Sequence, residues 1–339
     1  MSNPILVEVT RGRLVESFHR GAVAVAGPGG RSVLALGDVA RPVYPRSAVK
    51  LIQALPLVES GAAEAYGFGD KELALACASH SGEPRHVALA KSMLARAGFT
   101  VEDLECGAHA PLGGGAARAL FRSGSAPSAL HNNCSGKHAG MLAVARHLGE
   151  VPQGYVAPMH PVQLRIRAIL EELIAAPISP DATAIDGCSV PTWAVPLSSL
   201  AQAFSRLATG EGLSSSRHAA ARRLMQAAMR EPFYVAGEGR ACTRMMQLVE
   251  GHAFVKTGAE GVYCAAIPDM GLGIALKVDD GAGRAAECAV ASVLQTVMSE
   301  YATELRPVAY AGLTNVRGVG VGEVRPSAEL LRALERLST

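Results

Sequence analysis

Aromatic residues are scarce in this chain of 339 residues, which holds one tryptophan, seven tyrosines and seven phenylalanines. That scarcity excludes the stacking platforms on which single-stranded nucleic acids are held. An excess of one charge is missing too: 32 basic against 30 acidic side chains leave a formal +2, with no Lys/Arg run. Duplex binding needs a concentrated positive field, so no nucleic-acid partner is expected. No apolar run approaches the roughly 20 residues that span a bilayer, so no membrane partner is expected either. The opening Met1-Ser2-Asn3-Pro4 lacks the basic and apolar regions of a secretory signal. Seven cysteines, odd in number and scattered, do not form a disulfide framework. These features lead to the expectation of a cytoplasmic protein with reduced thiols. The phosphate-cradling pattern G-x-x-x-x-G-K-S/T is also absent, and Gly113-Gly114-Gly115 is read as a loop.

What is present describes a compact protein with a large core: 49% apolar and 18% charged residues. The pattern is β at both ends. Ile5 to Val9 alternates, and Ala22 to Ala26 and Ser32 to Leu36 flank the turn Gly27-Pro28-Gly29-Gly30. From about 46 to 250 the periodicity is helical, with helices predicted over 85–97, 137–148, 162–175 and 216–230. Gly98 and Gly149 follow two of them as stop signals. Strands return at 252–257, 261–267 and 271–278, and helices near 284–302 and 327–337 close the chain. The expected fold class is α+β: N-terminal strands (about 5–40) and C-terminal strands (about 250–280) in one sheet around a helical middle region. Residues 1–339 are read as a single catalytic domain.

Two short segments some two hundred residues apart carry the chemistry. Ser47-Ala48-Val49-Lys50 is S-x-x-K, and Lys256-Thr257-Gly258 is K-T-G, the outer two signatures of serine β-lactamases and penicillin-binding proteins. Residues three apart on a helix share a face, so Lys50 can reach the hydroxyl of Ser47. Serine is a weak nucleophile until a neighbouring base takes its proton. A lysine can be that base when burial or a nearby cation lowers its pKa, and Lys256 is a candidate for that second charge. The plain alternative is an ordinary surface helix. Two further segments, His131-Asn132-Asn133-Cys134-Ser135-Gly136-Lys137-His138 and Asp186-Gly187-Cys188, place possible metal ligands in Gly/Ser/Asn-rich loops. Two isolated cysteines are not the usual four-ligand zinc signature, and buried apolar thiols are the alternative.

These segments, with Val15 to Gly21 and Ala78-Ser79-His80-Ser81-Gly82-Glu83, resemble the Rhizobium etli-type L-asparaginases over roughly residues 7 to 280. That family is similar in fold to serine β-lactamases and glutaminases. The resemblance implies two Ser-Lys pairs, Ser47 with Lys50 and Ser79 with Lys256. It implies a zinc site of Cys134, Lys137 and Cys188, with Asp186 beside it. Arg46 and His138, with Asp186, would line the substrate pocket. The implied activity is hydrolysis of L-asparagine to L-aspartate and ammonia by a homodimer. The departure from β-lactamases lies in the middle motif, where Ser79-His80-Ser81 replaces S-D-N. A serine glutaminase or β-lactam hydrolase is the rival enzyme, and a zinc-stabilised binding protein the rival non-enzyme.

Overall fold

The computed structural model describes residues 2–337. The chain divides into two compact units, one of Met1–Ala48, Val195–Glu211 and Met245–Thr339, the other of Val49–Ala194 and Gly212–Arg244.

The first unit is built on an eight-stranded sheet. Its strands are β1 (Ile5–Arg11), β2 (Leu14–Ala26), β3 (Ser32–Leu36), β4 (Phe254–Gly258), β5 (Val262–Ile267), β6 (Leu272–Val278), β7 (Ala311–Thr314) and β8 (Gly320–Pro326). They run in the order β7-β8-β1-β2-β6-β5-β4, with β3 paired to β2. β2 joins the two ends of the chain. Its first half pairs with β1, as in Leu14↔Arg11, and its second half with β6, from Gly21↔Val278 to Ala26↔Gly273. The sheet expected from both termini is present, and the class is mixed α and β.

Every residue of β5 is buried, so both faces of the sheet are covered. Helix Leu197–Thr209 packs on β2, β5 and β6, and helix Gly283–Val297 on β1, β5, β6 and β8. Gly273 sets the first of these contacts: a Cβ there would collide with the backbone of Ala201 and Ser205.

The second unit is mainly helical. Helix Lys50–Glu59 packs against Ser135–His147, Pro161–Ile174 and Ser215–Arg230. A short antiparallel ribbon pairs Thr183–Ile185 with Pro191–Trp193. Helix Ser135–His147 is buried from Ser135 to Ala145, as a helix without a polar face must be. Gly136 lets it lie on the backbone of Leu75, where a side chain would clash. The stop signals act as read. Gly98 and Gly149 have φ of +77° and +70°, and Phe99 and Glu150 donate back to Leu94 and Ala145 in Schellman caps.

Three features differ from the sequence reading. β2 begins at Leu14, eight residues early, because Leu14 to Phe18 are mostly exposed and show no buried-face pattern. β7 and β8 were not expected: Gly318, Gly320 and Gly322 dilute the β signal, and Gly322 is needed where a side chain would meet the Thr10 carbonyl. The helix expected over 284–302 stops at Val297, and a separate helix, Ala302–Ala309, follows. Among the described residues no helix is long and apolar enough to cross a membrane.

Gly273→Ala should therefore cost about 1–3 kcal/mol, the usual penalty of overpacking, read as a lower Tm in calorimetry. Gly115→Ala, which meets nothing within 4 Å inside helix Gly114–Arg122, should be neutral or slightly stabilising in the same experiment.

Candidate active site

Ser47 lies in a 3-10 turn, Arg46–Val49, that runs directly into helix Lys50–Glu59. Arg46, the residue before it, has φ of +52°. A left-handed conformation on a residue other than glycine is strained and persists only where its surroundings impose it. Within the first unit the strand of the K-T-G motif lies against this turn. Gly258, at the end of β4, lies so close that a Cβ would strike the Pro45 carbonyl and stand 3.1 Å from the Ala48 nitrogen. Glycine is thus required for the K-T-G strand to abut the serine turn. On the same strand Lys256 is 1% exposed, and its Nζ donates to the Thr257 carbonyl at 2.9 Å.

In the second unit Lys50 is fully buried. Its Nζ donates to the Ala78 carbonyl, to Ser79 Oγ at 3.1 Å and to Cys134 Sγ at 3.1 Å. The structure thus brings Lys50, Ser79 and Cys134 around one nitrogen. Ser79 is held from behind as well, its N–H donating to the Val235 carbonyl at 2.9 Å.

Beside this cluster, Lys137 Nζ donates to Cys188 Sγ at 3.0 Å. Cys188 sits in the tight turn of the ribbon, closed by Ser189 N–H to the Asp186 carbonyl at 2.9 Å, with Ser189 at φ +74°. The two sulfurs are hydrogen-bonded to each other. The bond from Cys188 holds Cys134 well below the usual thiol range, against burial and with help from Lys50 and Lys137. The same bond, then burial, pushes Cys188 up. Burial would lower the pKa of Lys137, but Cys188, Cys134 and Asp186 outweigh it and raise the pKa overall. Among the described residues no group of three or more His, Cys, Asp or Glu could hold a metal. A metal held here would therefore have two sulfurs and one amine, a soft set with room for a fourth ligand that suits zinc. The lysine must first surrender its proton.

His138, also buried, points its ring to Tyr155, with Nδ1 2.7 Å from the phenolic oxygen. That oxygen also accepts from the Glu105 N–H at 2.9 Å, which holds the phenol and the ring together. Nε2, also buried, has no hydrogen-bond partner among the described residues.

Two residues were not singled out by the sequence reading. Tyr155 stands alone in a loop and gave no signal. Asn132 lay inside a quoted segment, but its role is visible only here: its Oδ1 accepts from the Cys134 N–H at 2.9 Å, and its Nδ2 donates to the Cys106 carbonyl at 2.8 Å. His19, His131 and His160 serve structure. His19 pairs with Asp280, while His131 and His160 accept from nearby backbone N–H groups. All seven cysteines are buried and outside any disulfide, and burial pushes Cys106 and Cys288 up to about 12.

Within the second unit, then, a buried lysine bonded to a serine lies beside a cluster of two thiols and a second lysine. The chain belongs to the L-asparaginase II family, whose sequence profile matches residues 7–326; it is an amidohydrolase. No curated protein sequence matches it significantly. Among solved structures, a β-lactamase from Mycobacterium bovis is similar at 16% identity and a TM-score of 0.42, over 83% of this chain and 94% of that one. A protein called Mglu is similar at 18% identity and a TM-score of 0.44, over 88% of this chain and 71% of that one.

Histidines stack behind the Ser79 loop. His80 lies on His86 with ring centroids 5.0 Å apart, and His86 on Phe233 at 4.5 Å. Burial lowers both histidines below the ordinary 6.5, His80 further than His86. The unfolded chain then binds protons first as pH falls, so stability is complete above pH 6.5 and declines below it. Thermal melting between pH 7.5 and 5 should show that decline, with a shallower slope in His86→Phe.

Proposed function

We propose that this protein hydrolyses the side-chain amide of L-asparagine to L-aspartate and ammonia, with Ser47 as nucleophile and Lys50 as its base. The observation that carries the reading is Lys50, buried and hydrogen-bonded to Ser79 Oγ three residues after a serine held in a strained turn. The family membership supports asparagine as the substrate.

With Lys50 in its neutral form, Ser47 Oγ attacks the amide carbon as its proton passes to the Lys50 amine. The C–N bond breaks, and ammonia leaves with a proton delivered through Ser79 and Lys256. Water then hydrolyses the β-aspartyl ester on Ser47 and restores the serine. The proton path is supported by the bond from Lys50 to Ser79, which links the base to the second hydroxyl. Arg46, by its planar fork, suits the substrate α-carboxylate. The unpartnered Nε2 of His138 and the carboxylate of Asp186 complement the polar ends of an amino acid.

Cys134, Lys137 and Cys188 would hold a zinc ion, which supplies positive charge that orients the substrate. Around it, Asn132 fixes the Cys134 backbone, and Lys50 keeps the thiolate close to Ser79. The homodimer implied by the resemblance and the cytoplasmic setting expected from the sequence complete the proposal.

Ammonia release with asparagine, glutamine and buffer alone tests the reading directly. Ser47→Ala should lower kcat by at least about a thousandfold, as loss of a nucleophile does. Lys50→Met should come close to it, and Ser79→Ala should also lose most of the rate. Retention of more than a tenth of the rate in Ser47→Ala would rule out the covalent route. Metal is tested separately by elemental analysis and by kinetics before and after chelation. Chelation should raise KM more than it lowers kcat, the sign of lost ground-state binding, and Cys188→Ala should behave alike. Protein purified without chelator and free of zinc would remove the metal from the proposal.

A further inference from the structure

His80 occupies the middle position of the Ser79-His80-Ser81 segment, and nothing in the proposed mechanism uses it. Its side chain is fully buried, and both ring nitrogens are engaged. The Gly82 N–H donates to Nδ1 at 3.1 Å, so a neutral ring carries its proton on Nε2. Nε2 in turn donates to Ser135 Oγ at 2.9 Å, and that hydroxyl donates to the Leu130 carbonyl at 3.1 Å. The relay has one direction, and each link leaves the next with one role. Burial, with His86 and Lys50 adjacent, holds the ring neutral and so preserves that tautomer.

The main chain adds a second tie. The His80 N–H donates to the Asn133 carbonyl at 3.1 Å. His80 is therefore fastened to the residue before Cys134 by its backbone and to the residue after Cys134 by its side chain. Ser79 is its covalent neighbour. Ser79 Oγ and Cys134 Sγ each stand 3.1 Å from Lys50 Nζ. One residue thus spans the two groups that share the lysine.

We propose that His80 is a positioning residue whose side-chain bond to Ser135 sets the spacing of Ser79 and Cys134 around Lys50. The inference rests on the roles given above to Lys50 and Ser79. A ring that served only to fill space would be replaced well by leucine. A ring that works through its Nε2–H would be replaced better by glutamine, whose amide N–H reaches the same distance.

The test compares His80→Leu, His80→Gln and Ser135→Ala in steady-state asparagine hydrolysis, with Ser79→Ala alongside and melting curves for every variant. His80→Leu and Ser135→Ala should each lower kcat by about a hundredfold, the loss expected from misplacement on the order of 1 Å. KM should stay within about threefold. His80→Gln should retain kcat within about fivefold, and the double variant of His80→Leu with Ser135→Ala should lose little more than either alone. A Gln variant no better than the Leu variant, or a Ser135→Ala variant with wild-type kcat, overturns the proposal. If His80→Leu fails to fold, the kcat of Ser135→Ala decides between the two outcomes. Wild-type turnover in Ser79→Ala would overturn the underlying mechanism instead. Loss in Ser79→Ala with full kcat in His80→Leu and Ser135→Ala would overturn this inference alone.

Discussion

The hydrogen bonds around Lys50 Nζ are the constraint on which the second unit depends. A buried amine is tolerable only when acceptors surround it, and three separate groups supply them: the Ala78 carbonyl, Ser79 Oγ and Cys134 Sγ. The side-chain acceptors are themselves pinned. Ser79 is tied to Val235, and Cys134 is fixed through Asn132 to the loop of Cys106 and Gly107. Removing the lysine would leave these polar groups facing one another in a dry interior, where an unpaired acceptor costs about 1–3 kcal/mol. A site held in this way is rigid because its parts satisfy each other.

Glycine makes the close approaches that bring such segments together. Gly136 lets the buried helix of Lys137 and His138 lie flat on Leu75, and Gly273 lets helix Leu197–Thr209 lie on the sheet. In the first unit Gly258 brings the K-T-G strand against the turn of Ser47. Backbone contact of this kind is stiffer than side-chain packing, since no rotamer can relax to open it. The strained φ of Arg46 sits beside this last contact. Strain there is the expected companion of a serine presented at a helix start.

The thiol pair adds an electrostatic layer. The hydrogen bond between Cys134 and Cys188 lowers the first thiol's pKa and raises the second's, with Lys50 and Lys137 beside them. Lys137 bonds to Cys188, and the two sulfurs with Asp186 raise its pKa against burial.

Much of this protein was legible in its sequence. The sheet shared by both ends, the helices closed by Gly98 and Gly149, and the family of the enzyme follow from periodicity, stop signals and motif order, which are local properties of the chain. The residues of S-x-x-K, the K-T-G strand and the two cysteine segments were named from the same information. Exposed Leu14 to Phe18 and the glycine-rich β8 escaped, because neither shows the alternation that burial on one face imposes. The tertiary structure alone decided which groups meet. That Lys50 is shared by Ser79 and Cys134, that Tyr155 meets His138, and that His80 bonds to Ser135 depend on contacts between residues 17 to 84 positions apart. Spacing along a chain determines which side chains share a face of one element. It says nothing of which faces are pressed together, because that choice belongs to the packing of the whole core.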